Sequence, residues 1–291
     1  MHRETRKRAA PATFAWLAAL VLTLTALACV PARALTLAET LAEKFGVSDP
    51  MSDATVDHSA WGGLLAAYVR EGGDDVNRFD YAGLAETPAD MDRLGAYIDA
   101  LQDTEVSALA RDEQFAFWAN LYNALTVEVV VEHYPVASIR DISISPGLFS
   151  VGPWGKKLAT VEGRDLSLDD IEHEILRKAW DEPRVHYAVN CASIGCPDLA
   201  REPYTGEDLD AQLDAAGQAY VNHPRGVSFD GDTLTLSKIF NWYGKDFGDS
   251  VEERLASIAR HAEPALAERL RAHSGRIRYV YDWTLNDMAR D

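Results

Sequence analysis

Two hydrophobic periods run along the chain, and the helical one dominates. Residues 36–45 place Leu37, Leu41 and Phe45 on one face, and 55–70 place Trp61, Leu64, Leu65 and Tyr68 in one stripe. Both patterns predict amphipathic helices. Gly72-Gly73-Asp74-Asp75 ends the second, and 78–81 reads as a short extended piece. Met91, Leu94, Ile98 and Leu101 predict a further helix over 88–101. The run over 112–133 is different, because its apolar residues surround the helix almost entirely, which places it inside a domain. It carries two amides on one side, Asn120 and Asn123. Buried amides need partners, so these either tie down loops or position a site.

Beyond Pro135 the pattern shortens. Residues 138–142 predict a strand, 149–157 a loop, and 157–161 with 164–166 a hairpin across Glu162-Gly163. Ser167, with Asp170 three residues on, resembles a capping box and opens a helix that carries His173. The apolar run at 185–189 predicts a buried strand that breaks at 191–197 into a loop of small residues. A helix over 206–222 follows, then a hairpin of 227–229 with 233–236 around an Asp-Gly turn. A short helix opens at Ser237 and stops at Gly244; helices over 250–261 and 263–272 lead to a strand at 276–281. Strands this few and scattered give an α+β class. The expected fold is mostly helical, with a small mixed or antiparallel sheet, a long buried central helix, and a papain-like arrangement as one form it can take.

The first residues change the picture. Arg3, Arg6, Lys7 and Arg8 precede an apolar run over 14–29 and then Ala32-Arg33-Ala34. This is the pattern of a secretory signal peptide over 1–34, too short to be a span and ending in a small-residue cleavage site. Processing as a lipoprotein at Cys29 is the alternative, matched only in part by Ala26-Leu27-Ala28. The expected location is periplasmic or secreted, with no integral membrane segment after cleavage. The mature chain is read as a helical part over 35–109 that belongs to the same domain as 110–291. The whole chain has 28 basic and 46 acidic residues; the mature part keeps 23 against 45, a net charge of −22. Such an acidic balance argues against nucleic acid and anionic membranes. It leaves an unknown substrate or a protein partner.

Export places Cys191 and Cys196 in an oxidising compartment, where two cysteines either form one local bridge or leave a reactive thiol. A nucleophilic Cys191 needs a base, and something to orient that base. His133 stands at a helix C-terminus, where a cation is favoured anyway. His186 lies five residues from Cys191, on the opposite face if the strand continues. That leaves His173 as base, with Asn123 or Asn120 from the central helix as its orienting residue. Asp169 and Asp170 also have suitable spacing, whereas Glu172 is turned about 100° away on a helix. Asn120, Asn190, Ser193 and His186 are the expected binding residues, and backbone N–H groups after Cys191 are the expected oxyanion hole. Metal-ligand spacing, a phosphate loop and a dinucleotide pattern are absent from the sequence, so no metal or cofactor is expected. The reading is a cysteine-dependent hydrolase or transferase acting on an amide or thioester. The alternative is a non-catalytic binding or structural module stiffened by a Cys191–Cys196 disulfide.

Several stretches together resemble one family, the domain of unknown function 547. They are Phe117-Trp118-Ala119-Asn120-Leu121-Tyr122-Asn123, Leu168-Asp169-Asp170-Ile171-Glu172-His173, and Val185-His186-Tyr187-Ala188-Val189-Asn190-Cys191 with Gly195-Cys196-Pro197. Phe240-Asn241-Trp242-Tyr243, Asp246-Phe247-Gly248 and Tyr281-Asp282-Trp283 also fit. The resemblance runs from about residue 110 to the end and points to a secreted bacterial member. It implies no activity of its own. Some relatives are joined to glutaredoxin-like domains, which associates the family with thiol chemistry. The order of His173 before Cys191 resembles permuted members of the papain class.

Overall fold

The computed structural model describes residues 39–147 and 150–288; the signal peptide expected over 1–34, and the Cys29 alternative, lie outside them. Helix α1 (Leu41–Phe45) is closed at its start by a capping box between Thr40 and Glu43. Helix α2 (Ser59–Tyr68) runs into a hairpin of β1 (Val69–Glu71) and β2 (Asn77–Phe79). Asp80 caps α3 (Tyr81–Ala85) by accepting from Gly83 N, and α4 (Pro88–Gln102) begins on a proline, which suits the first turn.

Helix α5 (Arg111–Glu132) is the central element. Eighteen of its residues are buried, among them Phe115, Phe117, Trp118, Leu121, Tyr122 and Leu125. Its buried polar side chains hold the chain that wraps it. Glu113 accepts from Val56 N at 2.7 Å and Gly206 N at 2.9 Å. Asn120 clamps Tyr204 through both N–H and C=O, at 3.0 and 2.8 Å. Asn123 bonds Ala188 O at 2.9 Å and Asn190 N at 2.8 Å. A buried backbone group without such a partner is costly, which is why an all-round apolar helix still carries these amides.

After α5 the expected strand at 138–142 is a 3₁₀ turn, Ile139–Asp141. Ser138 accepts from Arg140 N while Asp141 accepts from Ser138 N, and such local bonds compete with a ladder. Strands β3 (Lys157–Val161) and β4 (Arg164–Ser167) form the expected hairpin. The next helical stretch is irregular. Residues Asp170–Leu176 form a π-helix that continues as α6 (Arg177–Trp180), which ends at Asp181 in a left-handed conformation. The Ser167–Asp170 pairing is present, with Asp170 N donating to Ser167 Oγ at 3.2 Å and Ser167 N donating back at 2.7 Å.

The strand expected at 185–189 is instead a single helical turn, α7 (Val185–Ala188). Pro183 and Arg184 start the turn, with His186 N bonding Pro183 O and Tyr187 N bonding Arg184 O. Among the described residues no strand offers it a ladder, and Asn123 takes its last carbonyl. Its side chains divide between two apolar clusters, Val185 and Ala188 packing with α5 and Tyr187 with the C-terminal part.

That second cluster is built on α8 (Leu209–Asn222), strands β5 (Val227–Asp230) and β6 (Thr233–Ser237), the short helices α9 (Ile239–Trp242) and α10 (Gly244–Phe247), and α11 (Val251–Ile258), α12 (Pro264–Ala272) and β7 (Ile277–Val280). Strand β6 pairs antiparallel with β5 and parallel with β7, so this small sheet is mixed. The segment after β7 returns across the molecule. Phe79 N bonds Asn286 O at 2.9 Å, Leu285 N bonds Ala137 O at 3.0 Å, and Ile194 N bonds Thr284 O at 2.8 Å. The class is the α+β one read from the sequence, and the described residues form one compact unit. Among the described residues, no helix is long and apolar enough to cross a membrane.

Candidate active site

The loop after α7 is held on every side. Asn190 accepts from Ala192 N at 2.8 Å and donates to Pro197 O at 2.7 Å, drawing the two ends of the loop together. Ala192 adopts φ +55°, a left-handed conformation that costs a non-glycine residue on the order of 1 kcal/mol. Gly195 lies against the returning segment so closely that a Cβ would stand 2.8 Å from both N and O of Asp282. Only glycine fits there. Gly195 O also accepts from the Tyr220 hydroxyl at 2.7 Å.

This frame sets two free thiols side by side, Cys191 half-buried and Cys196 buried. Cys196 Sγ accepts from Cys191 N at 3.0 Å. The Tyr281 hydroxyl stands 3.0 Å from Cys191 Sγ, 3.3 Å from Cys196 Sγ and 2.9 Å from Ser193 Oγ. The hydrogen bond to Cys196 and burial push the Cys191 thiol well up. Burial also opposes the Cys196 thiolate, but the bonds from Cys191 and Tyr281 outweigh it and bring that thiol down. Burial pushes Tyr281 well up, so its hydroxyl stays a donor.

The thiols open into a cavity of about 250 Å³. Its lining includes His173 and Glu172 from the π-helix, His186 from α7, Tyr122 from α5, Tyr243 and Trp242 beside α9, and Trp154 and Trp283. A π-turn of the kind that carries His173 is frequent at functional sites. His186 is the better-held imidazole. Its Nε2 lies 2.7 Å from Asp246 Oδ2, and its ring stacks on Tyr243 at 4.2 Å and 11°. Arg177 grips the same carboxylate with Nε at 2.5 Å and Nη2 at 2.9 Å. Burial opposes ionisation of Asp246, but the His186 and Arg177 bonds prevail and hold its carboxyl well below the usual range. With Asp246 ionised, His186 donates from Nε2 and keeps its lone pair on Nδ1. Burial, which outweighs the pull of Asp246, pushes the His186 imidazole down, so the ring is neutral near pH 7.

The sequence-derived candidates divide accordingly. Cys191, Cys196, His173 and His186 line one cavity, and Ser193 stands 3.4 Å from the Cys191 sulfur. Among the described residues, neither imidazole is a hydrogen-bond partner of Cys191 Sγ. The His173 ring is instead 3.3 Å from Arg177 Nη1, 3.6 Å from Glu172 Oε1 and 3.7 Å from Asp169 Oδ1. Asn120, Asn123 and Asn190 bond backbone: Asn120 holds Tyr204, while Asn123 and Asn190 tie down the cysteine loop. Of the N–H groups that follow Cys191, those of Ala192, Ile194, Gly195 and Cys196 donate to internal acceptors.

A strand period would set His186 on the far face; the helical turn puts it in the cavity lining instead. Asp246, Glu172, Tyr243 and Tyr281 went unassigned, although each lies within a motif that carries the family resemblance. Among the described residues, no group of three or more histidine, cysteine or carboxylate side chains is arranged to hold a metal ion.

No curated protein and no solved structure matches the chain. Residues 106–221, which include α5, the π-helix and the cysteine loop, match the model of the family described as Protein of unknown function, DUF547, and this supports the family assignment that the motifs suggested.

Proposed function

We propose that the cavity is the active site of a cysteine-dependent hydrolase or transferase acting at an amide or thioester carbonyl. Cys191 is the nucleophile, and His186, held by Asp246, is its base in preference to His173. One observation carries this reading: a half-buried thiol and a carboxylate-oriented imidazole line the same cavity, the constellation that activated nucleophiles use. As the sulfur–carbon bond forms, the thiol proton passes to His186 Nδ1, and the Tyr281 and Ser193 hydroxyls take the charge that develops on oxygen. Collapse expels the amine or thiol with a proton from His186. Water or a second nucleophile then releases the acyl group. Geometry at rest is looser than in a substrate complex, where catalytic hydrogen bonds tighten.

A second reading rests on the adjacency of the two thiols. Oxidation to a Cys191–Cys196 disulfide would stiffen the loop by roughly 2–3 kcal/mol or less, for so short a closure, and leave a binding or structural module. Free thiols titrated on the unreduced protein from an oxidising compartment decide between them. The nucleophile reading expects two; a count of zero supports the bridged module.

The same proposal takes the protein to be exported, supported by the basic start, apolar run and Ala32-Arg33-Ala34. Mass spectrometry of the periplasmic fraction is expected to find Leu35 at the N-terminus. A lipid-modified Cys29 would replace this version by the lipoprotein one.

A further inference from the structure

The described residues that line this cavity include two carboxylates, Glu172 and Asp169. Glu172 is 7% exposed. Its Oε2 accepts from the Tyr122 hydroxyl at 3.1 Å. Its Oε1 has His173 Nδ1 at 3.6 Å and His186 Nδ1 at 3.9 Å, both beyond hydrogen-bond reach. His186 is neutral because burial disfavours its cation. His173 Nδ1 lies 3.3 Å from Arg177 Nη1. The Arg177 charge is itself matched by both oxygens of Asp246. Asp169 adds a second carboxylate to the lining, and no lysine or arginine is among the described residues that line the cavity.

The remaining walls are aromatic. Trp242, Tyr281 and Trp283 pack on one another with ring centroids 4.7–5.7 Å apart, and Tyr243 lies on the Glu172 side. Faces of this kind attract cations. Two of these rings already hold one: Arg140 Cζ is 5.3 Å from the Trp283 ring and Arg177 Cζ 4.7 Å from the Tyr243 ring.

We infer that the substrate of this site carries an ammonium or guanidinium group, which enters the cavity to neutralise Glu172 and Asp169 against the aromatic wall. The class is a basic amide or thioester, such as a peptide presenting a lysine- or arginine-like side chain. This rests on the thiol reading for the reaction, but not for the binding.

Cys191→Ala protein, which cannot turn over, separates the two. Benzoyl-arginine amide and its neutral counterpart benzoyl-citrulline amide would be titrated against the fluorescence of the cavity tryptophans at low and high salt. The arginine compound is expected to bind about tenfold or more tighter, with the advantage shrinking in salt. Asp169→Asn is expected to reduce that advantage several-fold and leave citrulline binding unchanged. Equal affinities, or binding of neither compound, overturn the inference. Turnover is measured on the native protein with arginine and citrulline thioesters. Preferential binding of the arginine amide without any turnover sustains the cation site and removes the thiol reaction. Equal turnover of both thioesters removes the cation site and sustains the thiol reaction.

Discussion

Cys191→Ala protein is expected to lose at least about a thousandfold in turnover of amide or thioester substrates, down to what binding alone supplies. His186→Gln and Asp246→Asn are expected to follow, each by roughly 10²–10⁴, because the first removes the proton acceptor and the second loosens the ring that carries it. His173→Ala is expected to cost less than about tenfold, since Arg177, Asp169 and Glu172 hold that ring apart from the sulfur. Thermal unfolding of each variant separates chemistry from folding, because His186 is 2% exposed and fills space as well as accepting a proton. The ranking decides the mechanism. If His173→Ala is the more damaging change while both variants unfold like the native protein, the base has been misassigned. If Cys191→Ala retains native activity, the thiol reading is lost altogether.

Trp118→Ala is expected to give the largest loss of stability of any single change considered, about 3–5 kcal/mol. The indole is fully buried on α5 and packs edge-on against Phe45 and Phe117, each at 4.9 Å. Removing it leaves a cavity that a helix enclosed on all sides cannot collapse to fill. A loss that large is a substantial share of what a domain of this kind has to spare. Urea unfolding monitored in the far ultraviolet checks it. A midpoint shift equivalent to less than about 1 kcal/mol would mean that α5 is not the packing centre.

Much of this architecture was legible from periodicity. The apolar circumference of α5, the stripe of α4 and the hairpin turns at Glu162-Gly163 and Gly231 are local signals, and local structure follows them. The errors came where a short apolar run has no period long enough to read. Four residues of α7 fit a strand and a helical turn equally well, and the choice falls to partners elsewhere: Pro183 at its start and Asn123 at its end. That one mistake moved His186 to the wrong side of Cys191. The central amides were read in two ways, as loop ties or as site residues, and the Asn123 bonds to Ala188 and Asn190 are of the first kind. Asp246 was hidden for another reason. In a chain with 46 acidic residues, nothing local marks the one whose carboxylate an imidazole and a guanidinium share.

The returning segment also sets an order in time. The Tyr281 hydroxyl meets the Cys191 sulfur across 90 positions of sequence, and Asn286 meets Tyr81 across 205. Contacts between such distant partners must close long loops, and they form slowly compared with helices and hairpins. The cysteine loop is therefore expected to get its last wall only when 281–287 docks, after the helical framework has formed. In refolding, far-ultraviolet ellipticity should recover first, and the environment of Trp283 and the shielding of Cys191 from alkylation should lag behind it. During synthesis the two thiols leave the ribosome about 90 residues ahead of the tyrosine that will cover them. Over that interval they are open to any oxidant or chaperone in the compartment where the chain emerges.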